Sequence, residues 1–159
     1  MEARVAGALG RIPAAELPPP CLLLLAETSG GQAEGRIRTV RAQALQQGDV
    51  GRFVAANLAL APWAGARGAE LLLQAAAASR LTGNLEEEVR DALARARPTC
   101  GQARAWLARR DPDLEILFTN LGLPDLKLVD QARALVARGL CGRSGPQGAP
   151  TPAKDGGPP

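Results

Sequence analysis

The apolar residues of this chain are mostly leucine and alanine, and that bias confines it to helices. Strands favour β-branched and aromatic side chains, which pack well on a pleated surface. Here there is no tyrosine, and Trp63, Trp106, Phe53 and Phe118 are the whole aromatic set. Leu, Ala, Arg, Glu and Gln lose little side-chain freedom on entering a helix. The expected fold is therefore all-α. A length of 159 residues fits one domain that buries a core without a disulfide or metal staple.

Proline, glycine and capping residues divide the chain. MEARVAGALGRI is expected to form a short helix ending at Pro13, and Pro20 opens a second helix that Ser29, Gly30 and Gly31 end. Residues 1–31 thus read as a lead-in, 32–141 as the helical domain and 142–159 as a tail. In 32–47, Ile37, Val40 and Ala44 share one face. Gly48 stops this helix and Asp49 caps the next, over 50–61. Residues 66–81 are apolar nearly all round, which predicts a central helix. Asn84 with Glu87 resembles a capping box, before a stripe of Leu85, Val89, Ala92, Leu93 and Ala96. Glu86 with Arg90, and Asp91 with Arg95, have ion-pair spacing on the solvent side.

Thr99 with Gln102 is a second capping box, opening a helix that carries Ala103, Trp106 and Leu107. Asp111 caps the next, with Pro112 at its first position, a stripe of Leu114, Leu117, Phe118 and Leu121, and Gly122 as its stop. Pro124 opens the last helix, lined by Leu128, Ala132, Leu135 and Val136 and closed by Gly139. The tail, 142–159, has no large apolar residue to offset its ordering entropy and is expected to be disordered. Short connections predict antiparallel neighbours, in a compact multi-helix bundle or a short α-solenoid.

Gly48-Asp49-Val50 and Gly83-Asn84-Leu85 recur at a spacing close to the ~34-residue period of tetratricopeptide repeats. RLTGNLEEEVRDALARARP resembles the turn and second helix of such a repeat, and the resemblance covers residues 32–98. It implies stacked antiparallel helix pairs. Glu88 and Phe53 stand where the family has small residues. Generic helical hairpins with Gly-Asp turns read the same way.

The chemistry is mostly exclusion. The chain has no histidine, so the commonest general base near neutral pH is missing, with the catalytic triads and zinc sites built on it. No Gly-Lys-Ser/Thr occurs, which removes a Walker loop. Glu86, Glu87 and Glu88 stand at a helix start, where acidic residues offset the helix dipole, as do Asp111 and Asp113. No cofactor or metal is expected. Cys21, Cys100 and Cys141 are odd in number and far apart, so no disulfide framework is expected, which suits a reducing compartment. No secretory signal or membrane-length apolar run is evident, and cytoplasm or nucleus is the expected location.

Of 19 basic residues only Lys127 and Lys154 are lysines, a bias that GC-rich coding also produces. Arginine grips phosphate and carboxylate in a bidentate way. Arg104, Arg109 and Arg110 are the candidates for a phosphate or an acidic partner. Trp106, Ile116 and Leu123 are the candidate protein-binding patch, since tryptophan is enriched in binding hot spots. The function these features suggest is a non-enzymatic helical adaptor or scaffold subunit of an intracellular complex, with protein partners and no membrane. A nucleic-acid-associated factor and an enzyme regulator with an unrecognised site are the alternatives.

Overall fold

A computed structural model of the protein describes Ile12, Pro13 and residues 16–142. The expected helix at the N-terminus and the expected disordered tail beyond Gly142 lie outside the described residues. Among the described residues there are eight α-helices and no strand. They are α1 (Pro19–Ser29), α2 (Glu34–Gln47), α3 (Val50–Leu60), α4 (Gly68–Thr82), α5 (Glu86–Ala96), α6 (Cys100–Leu107), α7 (Pro112–Leu121) and α8 (Lys127–Cys141). The all-α expectation holds.

Helices α3 and α4 form the centre. All of α3 except Arg52 is buried, as is the run 71–79 of α4. Helix α4 packs on α3, α5, α6 and α8, while α3 also meets α1 and α2. Further contacts join α2 to α7 and α6 to α8. Helices distant in sequence therefore touch, which makes this a closed bundle; in a one-dimensional stack each repeat would meet only its neighbours.

Two amide side chains interrupt the apolar centre, and both are satisfied. Asn57 on α3 and Gln74 on α4 are buried and joined by a hydrogen bond from Asn57 Nδ2 to Gln74 Oε1 at 3.0 Å. Arg41 of α2 reaches in, donating to Asn57 Oδ1 at 2.6 Å, Gln74 Oε1 at 2.8 Å and Asp113 Oδ2 at 2.7 Å. Gln74 Nε2 donates to Asp111, which also accepts from the indole of Trp106 at 2.7 Å. One network thus links α2, α3, α4, α6 and the start of α7. A buried polar group without a partner would cost about 1–3 kcal/mol, so this network favours a single arrangement of the five helices.

The caps divide into those that formed and those that did not. Asp49, Thr99 and Asp111 accept from backbone amides at the starts of α3, α6 and α7, and Thr99 with Gln102 closes a full capping box. Asn84 caps nothing: its Nδ2 donates to Thr82 Oγ1, and α5 begins behind Leu85, whose φ is 57°. Among the described residues neither Glu86 with Arg90 nor Asp91 with Arg95 forms an ion pair. Those side chains are mostly open to water, where such pairs gain little.

The face of α8 also differs from expectation. Leu128 and Leu135 are exposed, while Val129, Arg133 and Ala137 are buried beside Ala132. Arg133 is held on the inner side: it lies 4.7 Å from the Trp106 ring centroid and donates to the carbonyls of Trp106 and Arg109, at the end of α6. Turning Arg133 inward turns Leu128 and Leu135 outward, because they lie nearly opposite it on a helix. Leu121 is exposed as well. There α7 approaches α2 through its backbone, so close that a Cβ on Gly48 would stand 2.6 Å from Leu121 N.

Helix α8 starts at Lys127, later than Pro124, and passes through Gly139 to Cys141. Its last residue is covalently held: Cys141 forms a disulfide with Cys100, the first residue of α6. This bridge overturns the expectation from cysteine spacing and removes the premise for a reducing compartment. Separation along the chain did not matter, since α6 and α8 pack side by side. Cys21 is free and half-buried.

Candidate protein-docking groove

Between α3 and α4 the chain reads APWAGARG. Pro62 lacks an amide donor and Gly65 has φ 58°, so the helix breaks into two 3₁₀ turns, Ala61–Trp63 and Gly65–Arg67. The next helix can still pack tightly because Gly68 lacks a side chain; a Cβ there would meet Ala61 O at 2.6 Å. These turns form one wall of a groove, and α5 forms the other. Small residues line both walls: Ala61, Gly65 and Ala69 on one side, Ala92 and Ala96 on the other. No large side chain fills the space between them.

The groove has two lobes of about 360 and 340 Å³, which share Leu58, Pro62, Ala92 and Arg95. The inner lobe adds Leu72, Pro98 and Gln102. The outer lobe adds Leu23, Ala26 and a half-buried Trp63, with Glu27 of α1 and Glu88 and Asp91 of α5 around it. Among the described residues none of these three carboxylates, nor Arg95, is in an ion pair. Helix α5 is bounded at both ends by non-glycine residues in the left-handed region, Leu85 (φ 57°) and Arg97 (φ 49°). Backbone strain of this kind costs about 1–3 kcal/mol and concentrates at functional sites.

The residues chosen from sequence lie elsewhere and do not converge. Trp106 is 2 % exposed, its indole N–H held by Asp111 and its ring covered by Arg133. It is a core residue. Ile116 is 47 % exposed, and Leu123 is half-buried against the core, so the three make no common patch. Arg109 donates to Glu70 at 2.7 Å and Arg110 to Glu115 at 2.5 Å. Hydrogen bonding to those carboxylates raises both guanidinium pKa values, and the Arg110 contact holds the Glu115 carboxyl below its ordinary value. Arg104 is exposed and forms no ion pair among the described residues. Only one of these three arginines is left without a carboxylate partner.

Sequence reasoning missed Trp63, the other tryptophan. Its signal was context: it lies outside the helices, between a proline and a glycine, where no helix stripe claims it. Among the described residues no helix is long and apolar enough to cross a membrane, and no three His, Cys, Asp or Glu residues form a group that could hold a metal. No family model, curated protein or solved structure matches the chain.

Proposed function

We propose that this protein is a non-enzymatic helical adaptor that docks a segment of a partner protein in the groove between the Ala61–Arg67 turns and α5. The observation that carries this reading is the groove itself: two adjoining lobes of mixed lining, the first walled mainly by small apolar residues and the second by a half-buried tryptophan and unpaired charges. Pockets of this size suit two or three apolar side chains, and tryptophan beside such a pocket is a typical hot spot. The pairing of Arg109 and Arg110 with Glu70 and Glu115 weighs against the nucleic-acid alternative, since those guanidinium groups already have anionic partners.

The test is a photo-crosslinking amino acid placed at position 63 of the full chain, compared with one at Ile116. The expected result is a discrete partner adduct from position 63, lost in a Leu58→Ala, Arg95→Glu variant that still melts cooperatively. Equal labelling from both positions would remove the groove as the docking site.

A further inference from the structure

We infer that the segment held in this groove is a basic one: apolar anchors for the two lobes, flanked by lysine or arginine on the side of the outer lobe. This rests on the adaptor reading above and names the chemistry of its partner. The chain as a whole is basic, at +3. The outer lobe has the opposite sign. Glu27 on α1 faces it from one side and Glu88 and Asp91 on α5 from the other. All three carboxylates lack an ion pair among the described residues, although the chain is rich in arginine.

Glu34, Glu70 and Glu115 are neutralised by Arg38, Arg109 and Arg110, whereas Glu16, Glu86, Glu87 and Asp125, like the three groove carboxylates, are in no ion pair among the described residues; what sets the three apart is that they converge on one lobe. Around the outer lobe three carboxylates outnumber the one guanidinium, Arg95, which leaves the lobe net negative beside its apolar residues. Complementary charge of this kind sets partner choice and association rate more than raw affinity. Arg95 stands where the lobes meet, and its guanidinium offers donors to the main-chain carbonyls of a bound segment. The lobes hold the apolar anchors, and the carboxylates select the flanking charge.

The experiment uses the full chain and two synthetic peptide pools with the same leucine and proline spacing. One pool carries Lys and Arg at the variable positions, the other Asp and Glu. Binding is followed through the indole N–H resonance of Trp63. The basic pool is expected to shift that resonance and to bind about tenfold tighter than the acidic pool, with the difference shrinking as salt is added. Glu88→Arg with Asp91→Arg should reverse the preference; if that variant melts early, Glu27→Lys with Asp91→Arg supplies the reversal.

Binding of both pools with equal strength, or a preference unchanged by charge reversal, overturns the basic-segment inference and leaves the adaptor reading standing. Failure of both pools, together with no crosslink from position 63, overturns both. A Trp63 shift caused by deleting residues 143–159, or by raising protein concentration into a dimer, would identify the chain itself as the occupant and overturn the inference.

Discussion

Arg133 and Asp111 show how single polar residues govern this core. Asp111 caps α7 while accepting from Gln74 and the Trp106 indole, and Arg133 covers the same indole from α8. Trp106→Phe removes the donor and replaces the buried indole by a smaller phenyl ring. Urea denaturation is expected to show a loss of about 1–3 kcal/mol, the cost of leaving a buried partner unsatisfied. A variant as stable as the parent would show that the indole bond contributes nothing net. The Arg110–Glu115 pair titrates instead. Its carboxyl is held below the ordinary glutamate value by the Arg110 hydrogen bond. Because the folded value is depressed, the pair stabilises fully above the unfolded value and loses its effect as pH falls through the folded one. Arg110→Gln should return the Glu115 titration, followed by carboxyl NMR, to the ordinary range. Asp111 was legible in sequence as a cap, but its other partners and those of Arg133 and Arg110 were not.

At the scale of the element, local chemistry predicted most starts and stops. Gly48, Gly83 and Gly122 all adopt the left-handed conformation after their helices. The capping reading succeeded at Thr99 and failed at Asn84, and the two are separable by experiment. Thr99→Ala is expected to lower stability by about 1 kcal/mol, whereas Asn84→Ala should stay within roughly 0.5 kcal/mol. Equal losses in thermal melts would mean that Asn84 contributes more than its bond to Thr82. The failure has a physical cause. Capping needs extended backbone before the helix, and here Leu85 takes a left-handed turn between Asn84 and α5. The helix faces were less legible still. Spacing assigned Leu128 and Leu135 to the core of α8, but a helix with apolar residues on two faces can be turned either way. The observed face keeps Ala132 and Val136 but swaps Leu128 and Leu135 for Val129, Arg133 and Ala137, with Arg133 bonded to the end of α6.

The whole molecule is held by contacts that span long stretches of chain. The Cys100–Cys141 bridge ties the start of α6 to the end of α8. Removing it with Cys141→Ser should cost about 4 kcal/mol in denaturant melts, the loop-closure value for this separation along the chain. A similar loss on adding reductant to the parent, absent in the variant, would assign the effect to the bridge. The groove is also a property of the whole. Its walls come from α1, α3, α4, α5 and the turns between α3 and α4.

Composition and periodicity determined the helical class, the centrality of α4 and most of the places where helices end, because each depends on residues within one or two turns of each other. Only the tertiary structure decided which tryptophan is core and which lines a groove, which arginines are already paired, and which cysteines meet. Those outcomes depend on how far apart two helices lie and which faces they turn to each other. The physical reason is that a helix presents its residues around a cylinder, and the choice of inward face is made by its neighbours.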